Sequence, residues 1–232
     1  MNAKRGYVPE DDRNFSPAAV ETMRTASRHI KYLIDEGYDL KQASTFVGNH
    51  YVLSERQRLA LMRSVATTEQ LNVRKAKEKT QIAGKEVWID GFNTIITLEV
   101  MHSDSILFIG MDGTIRDLAA LRGTYRIISE TEAAVETLFE ALQEMNIASV
   151  HILLDEPVSN SGRLKTLIAD IAEKYSFLLD IQIFKAVDKE LWEKENVITS
   201  DSIILDHCKS WVNLMAKCIE KNGAQLLKVW EL

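Results

Sequence analysis

Apolar residues fall at helical spacing through the first third of the chain and gather into short strand-like runs through the rest. Ala19, Met23, Ala26, Ile30 and Leu33 recur at four- and three-residue steps, the stripe of an amphipathic helix. Ser16-Pro17 gives that helix a capping hydroxyl and a proline at its first position, and Gly37 closes it. A short helix is expected from Leu40 to Val47. Ser54-Glu55-Arg56-Gln57 reads as a capping box opening a third helix that runs through about Glu78. Its charged tail, "RKAKEK" from Arg74 to Lys79, is expected to cross solvent to a second unit.

From Ile82 the period changes. "KEVWID", "SVHILLD", "LDIQIFKAV", "NVITSD" and "AQLLKVW" are runs rich in Ile, Val and Leu, and helical patterns at Glu132–Met145, Gly162–Tyr175 and Ile203–Asn222 lie between them. Alternating buried strand and amphipathic helix predicts a mostly parallel sheet with helices on both faces. One stretch breaks the rhythm: "ILFIGMDGTIRDLAALRGTYRI" reads as an inserted β-hairpin with Asp112-Gly113 at its turn. The expected class is therefore α/β, a helical module over 1–80 followed by a three-layer Rossmannoid sheet over 81–232.

Composition narrows the setting. The 232 residues are 46% hydrophobic and 27% charged, and ten glycines and three prolines leave little room for disordered linkers. No apolar run reaches the roughly 20 residues that span a bilayer, and "MNAKRGYVPEDDRNF" lacks the apolar centre of a signal peptide. Cys208 and Cys218 are expected on one helix, three turns apart, as buried reduced thiols, which suits a cytoplasmic protein. Charge is uneven. Residues 1–80 carry 14 Lys and Arg against 10 Asp and Glu, a balance of +4, and residues 81–232 carry 14 against 24, a balance of −10, together the net −6. A basic front permits polyanion binding and an acidic back permits cation binding.

Three strand runs close on an acid: Asp90 in "WIDGFN", Asp155 in "ILLDEP" and Asp201 in "ITSDS". Ligands of parallel α/β sheets bind beyond the carboxyl ends of strands, where the strand order reverses. Acids at three such ends converge, and their repulsion invites a hard cation, Mg²⁺ or Mn²⁺. Asp90, Asp155 and Asp201 are the candidate metal ligands; Asn93 and Ser200 are candidates to orient them, and Asp206 is the next acid. The competing account is plain: aspartate at a strand-to-helix turn caps the helix, and Asp206 reads equally as a solvated helix carboxylate. Ser129 and Glu132 form a second expected capping box.

Other patterns carry less. "SNSGRLK" offers a helix start with Arg163 and Lys165 nearby for a phosphate, against simple capping by Ser159 or Ser161. "MDGTIRD" has Gly110 where an aspartyl phosphatase keeps its nucleophile, which excludes that chemistry. The five histidines lack zinc-ligand spacing, and there is no nucleophile elbow or P-loop. Arg56, Arg58 and Arg63 on one helix either touch a nucleic-acid backbone or form a solvated face.

Two resemblances rest on these residues. "FVGNHYVLSERQRLALMR" (Phe46–Arg63), "IDGFNTIITLE", "RGTYR", "LLDEPVSNSG" and "TSDSIILD" make the whole chain similar to the prokaryotic family termed domain of unknown function 434. From about residue 86 to 230 the chain also resembles PIN/NYN nuclease domains, chiefly the YacP-like branch. The shared residues are Asp90-Gly91-Phe92-Asn93, Asp155 and Thr199-Ser200-Asp201. That resemblance implies a PIN-like 3-2-1-4-5 sheet and cleavage of RNA by carboxylate-bound Mg²⁺ or Mn²⁺. It also implies a further acid on a helix before the Thr-Ser-Asp strand. In "AVDKELWEKEN" only Glu190 or Glu193 is expected to serve, unless Glu99 or Glu130 is drawn in. Two other functions remain open: a non-catalytic nucleic-acid-binding or scaffold protein, and an enzyme acting on a small phosphorylated substrate.

Overall fold

The computed structural model describes residues 4–119 and 123–231; Arg122, which begins the "RGTYR" stretch, lies outside the described residues. After one turn, α1 (Asp11–Asn14), the front of the chain folds as α2 (Pro17–Asp35), α3 (Leu40–His50), α4 (Glu55–Ser64) and α5 (Thr68–Lys77). The expected stripe is the buried face of α2, with Met23, Ala26 and Ile30 closed off from solvent. The helix expected from Ser54 to Glu78 is instead two. Val65 turns extended (φ −91°, ψ 149°), with its side chain buried, and Thr67 starts again with its own capping box. Gln70 N–H donates to Thr67 Oγ1 at 3.1 Å and Thr67 N–H to Gln70 Oε1 at 3.0 Å.

Nor does the charged tail of α5 cross solvent. Arg74 is 2% exposed and pairs with Asp112 and Asp206, each at 2.7 Å. Lys77 Nζ donates to the Asp206 carbonyl at 2.7 Å. Within this run Arg74 is buried and Lys77 half-buried at the seam with the second unit, whereas Lys75, Ala76 and Lys79 stay exposed.

The rest of the chain folds as β1 (Glu86–Asp90), α6 (Gly91–His102), β2 (Leu107–Ile109), β3 (Ile115–Arg116), α7 (Thr131–Glu144), β4 (Ser149–Asp155), α8 (Ser161–Ala172), β5 (Leu178–Phe184), α9 (Val187–Leu191), β6 (Val197–Ile198), α10 (Ser202–His207), α11 (Leu214–Asn222) and β7 (Leu226–Leu227). Four strands form a parallel sheet in the order β5-β4-β1-β6. Val87, Ile89, Val150, Ile152 and Leu154 pack on one face against Ile95, Leu98, Leu138, Phe139, Leu164 and Leu214 of α6, α7, α8 and α11. Leu153 and Val197 pack on the other, against Val187, Leu191, Ile204 and Leu205 of α9 and α10. Period-2 alternation along each strand produces the three layers.

"AQLLKVW" departs from the expected fifth place in this sheet. β7 pairs with β2, and with the hairpin β2-β3 it makes a separate sheet in the order β3-β2-β7. The hairpin itself is as expected, with Gly113 at φ +78° in its turn. Its neighbours in sequence feed opposite cores. Leu107 joins the large core, whereas Phe108 joins Phe15, Met23, Ile30, Leu61 and Val229 in the helical one. The small sheet is thus a wall common to both units.

The pattern Ile203–Asn222 is also interrupted. Trp211 bridges to Glu78 and Val197 and donates Nε1–H to the Arg74 carbonyl at 2.7 Å, separating α10 from α11. Cys208 closes α10 and Cys218 lies in α11, so the two buried free thiols do not share a helix. At α7 the Ser129–Glu132 capping box does not form: Ser129 Oγ donates to Glu130, which holds the N-cap position. Among the described residues no helix is long and apolar enough to cross a membrane.

Candidate functional site

β1 carries Val87-Trp88-Ile89 through the sheet into Asp90, and α6 begins at the next residue. Gly91 permits that abrupt junction, since a Cβ there would stand 2.6 Å from Leu154 Cδ2 and 2.8 Å from the Leu153 carbonyl. Asp90 is 6% exposed and makes no side-chain cap to α6, so the helix-cap account fails for it. Instead Thr199 Oγ1, at the end of β6, donates to Asp90 Oδ2 at 2.8 Å.

One turn into α6, Asn93 Oδ1 accepts from the Ser200 N–H at 2.8 Å and from Ser200 Oγ at 3.0 Å. These bonds stitch the β1-α6 junction to the β6-α10 junction. In the order β5-β4-β1-β6 the chain builds outward from β1 on one side and returns on the other, so the reversal lies between β1 and β6. Asp90, Asn93, Thr199, Ser200 and Asp201 therefore border the crevice that such a reversal opens.

Asp201 is half-buried and does cap its helix: Oδ1 accepts from the N–H groups of Ile203 (2.8 Å) and Ile204 (3.2 Å). Asp155 ends β4, one strand from Asp90, and receives a backbone hydrogen bond from Val187. A fourth acid joins them. Asp188, exposed at the start of α9, acts electrostatically on both Asp90 and Asp155 and is itself acted on by Asp201.

The electrostatics follow from that grouping. Burial pushes Asp90 up, the Thr199 hydrogen bond opposes it, and the charges of Asp201, Asp155 and Asp188 add to it, leaving its pKa at about 8. Asp155 is raised by burial and then by Asp188; Asp188 is raised by desolvation and then by Asp201. Four carboxylates thus share one negative region. Among the described residues, no three His, Cys, Asp or Glu side chains are placed to hold a metal ion as they stand. As a donor set the acids suit a hard divalent cation, and the strain on Asp90 is what such a charge relieves; the carboxylates would have to draw in around it.

Several expected participants lie elsewhere. Asp206 does not face the cluster: it accepts from Arg74 Nε at 2.7 Å and Gln70 Nε2 at 2.9 Å, and so joins α10 to α5. Glu193 pairs with Lys209 at 3.3 Å, and Glu190 is not among the groups acting on the cluster. Glu99 is fully buried beside Tyr125, Thr131 and Arg5: Tyr125 Oη and Thr131 Oγ1 both donate to Oε1, the former at 2.6 Å, and Arg5 Nε forms an ion pair with Oε2 at 2.9 Å. Asp112 of "MDGTIRD" is clamped between Arg74 and Arg116. In "SNSGRLK" neither serine caps α8; Ser159 and Asn160 both spend their side chains on the Tyr125 backbone.

Of the three arginines on α4, Arg56 is consumed by Asp11 and the Gly6 and Leu118 carbonyls. Arg58 is consumed by Leu53, Thr45 and Asn49. Arg63 keeps one long contact, 4.0 Å to Asp117, and is 30% exposed. It stands close to the site's frame, because the Arg63 carbonyl accepts from Arg116 Nη1 while Arg116 Nε donates to the Ser200 carbonyl.

Comparison with known proteins divides the chain at the same seam. A family described as "Domain of unknown function (DUF5616)" matches residues 79–217, the stretch that holds all four acids. The chain belongs to that family. "Protein of unknown function (DUF434)" matches residues 22–77, so that name covers the helical part and not the whole chain. An uncharacterized protein of Methanocaldococcus jannaschii is 36% identical over 203 residues, covering 86% of this chain and 97% of its own. No solved structure matches. None of these comparisons supports the resemblance to PIN/NYN nucleases, and they leave the DUF5616 segment an α/β unit with a parallel sheet.

Sequence reasoning named Thr199 only within the shared Thr199-Ser200-Asp201 and gave it no role, and it missed Asp188. Thr199 carried a signal, since a hydroxyl two residues before a strand-end acid reaches the neighbouring strand. Asp188 was passed over for the glutamates because the segment is too short for a long helix. The one-turn helix α9 brings it within electrostatic reach of Asp90 and Asp155.

Proposed function

We propose that the crevice between β1 and β6 is a divalent-metal-dependent phosphodiesterase site acting on RNA. The observation that carries this reading is the burial of Asp90 at the reversal point of a parallel sheet, within the fields of Asp155, Asp188 and Asp201. A buried carboxylate raised by three others is costly to keep unless a cation comes to it. Asp90, Asp155, Asp188 and Asp201 would hold the ion, and bound Mg²⁺ or Mn²⁺ would polarise a phosphoryl oxygen and lower the pKa of a coordinated water.

The chain's own residues prepare the site. Thr199 fixes Asp90 through Oδ2, and Asn93 holds the Ser200 backbone, so two strand ends keep a constant separation. Asp201 spends Oδ1 on α10, which leaves Oδ2 for the crevice. Asp90 holds a proton at neutral pH and gives it up when positive charge arrives. Arg63, the least engaged arginine of α4, is suited to a phosphate of the strand being cut. The order of the four parallel strands is the one the PIN/NYN resemblance implies, and RNA as substrate rests on that resemblance.

Incubation of labelled single-stranded RNA with the full chain and Mn²⁺ tests the proposal. Cleavage that is abolished in Asp90→Asn and in Asp188→Asn supports it. The second reading, a non-catalytic scaffold, is favoured by the cap role of Asp201 and the spread of the acids. RNA left intact by a chain that binds Mn²⁺, or that binds none, would establish it.

A further inference from the structure

We propose that β5 is a homodimer edge, along which two copies of the chain pair antiparallel about a two-fold axis through Ile181. β5 ends the four-stranded sheet, and its ladder with β4 runs unbroken from Leu178 to Phe184. No other strand of the described residues pairs with its outer side. "LLDIQIF" holds no proline or lysine, and of the charges that normally blunt an edge it carries only Asp180. Leu178 is 74% exposed and Ile183 38% exposed.

The hydrogen bonding fixes which residues face outward. Leu178 N–H donates to the Ala148 carbonyl, and the Phe184 carbonyl accepts from Glu156 N–H. Within a strand, the N–H and C=O of one residue point to one side, and the sides alternate. Leu178, Asp180, Gln182 and Phe184 therefore face β4, whereas Leu179, Ile181 and Ile183 turn their main-chain donors and acceptors away from it.

A second copy matches this pattern with itself. With the axis at Ile181, Leu179 pairs with Ile183 and Ile181 with its own counterpart, all three as hydrogen-bonded pairs exchanging two bonds each. Between them, Asp180 falls opposite Gln182 and Leu178 opposite Phe184. The one charged residue of the strand meets an amide, never itself, and the exposed leucine meets an aromatic ring. Moving the axis to Leu179 or Ile183 leaves only three residues of each β5 in the ladder. This is the self-complementarity that a two-fold interface requires. The result is one continuous sheet in which the two halves run opposite ways, so that the two acidic crevices open at opposite ends.

Light scattering and sedimentation of the full chain, with two variants, test this. Ile183→Pro removes an outward N–H and leaves the bonds to β4 intact. Asp180→Cys/Gln182→Cys places thiols across a non-hydrogen-bonded pair, about 4.5 Å between Cα atoms and inside disulfide range. The expected results are a dimer for the native chain, dissociation at least tenfold weaker in affinity for Ile183→Pro, and an oxidised dimer whose peptide map links residue 180 of one copy to residue 182 of the other. A native chain that stays monomeric at about 100 μM, a dimer indifferent to Ile183→Pro, or cross-links at other positions would overturn the proposal. A monomer that pairs only with an added extended peptide would also overturn it, and would assign the edge to a different partner.

Discussion

Thr199 Oγ1 donates to Asp90 Oδ2 at 2.8 Å, from the end of β6 to the end of β1, and this bond opposes the burial and the three neighbouring acids that raise the carboxyl. Around it the crevice is assembled by short-range chemistry. A glycine lets α6 start against β4, an asparagine holds the Ser200 backbone, and an aspartate caps α10.

Stability at neutral pH should be limited by Asp90. Its folded pKa, about 8, lies above its ordinary value of 3.8. As pH rises, the unfolded chain loses this proton first, so folding is penalised progressively between pH 4 and 8, by at most ~1.4 kcal/mol per pH unit. The penalty is absent below pH 4. Asp90→Asn should remove it, and urea midpoints at pH 5 and pH 8 should show the variant gaining on the native chain at the higher pH. Equal differences at both would refute a raised Asp90.

Asp188, not Glu190 or Glu193, should be the acid that completes the cluster. Asp188→Asn should weaken Mn²⁺ binding by about tenfold or more, while Glu190→Gln and Glu193→Gln should leave it unchanged. Calorimetric titration checks this, and equal losses across the three would mean that only overall charge matters.

The buried seam should be a stability element rather than part of the chemistry. Asp112 is 1% exposed between Arg74 and Arg116, so Asp112→Ala leaves buried Arg116 without a carboxylate and Arg74 with Asp206 alone, and should cost about 3 kcal/mol or more. Asp206→Ala should lower the urea midpoint, through Arg74, and leave Mn²⁺ affinity intact. Loss of metal binding at normal stability would return Asp206 to the site.

Arg63 should matter to RNA and not to metal. Arg63→Ala should weaken RNA binding and flatten its salt dependence, with Mn²⁺ titration unchanged. Fluorescence anisotropy with labelled RNA at two salt concentrations reads both effects, and an unchanged salt slope would take Arg63 out of the interface.

The parts of this molecule written locally were legible in its sequence. The stripe of α2, the alternation from Ile82 onward, the Asp112-Gly113 hairpin and the strand-end acids each depend on a few neighbouring residues. The parts that depend on tertiary partners were not. A second capping box at Thr67 was hidden because Val65 and Ala66 continue an apolar pattern while the backbone turns extended into the core. Arg74 and Lys77 looked solvated because their partners, Asp112 and Asp206, are remote in sequence. β7 was assigned to the main sheet because nothing in "AQLLKVW" says which edge it will join. Asp188 was missed for the same reason: its meaning comes from Asp155 and Asp201, which only the fold brings near.

The most direct test is a crystal of the full chain grown with Mn²⁺ and measured at the manganese absorption edge. The account predicts an anomalous peak in the β1–β6 crevice, with carboxylate oxygens of Asp90 and at least two of Asp155, Asp188 and Asp201 drawn to about 2.2 Å. A crevice without a peak at millimolar Mn²⁺, with Asp90 still held only by Thr199, would contradict it.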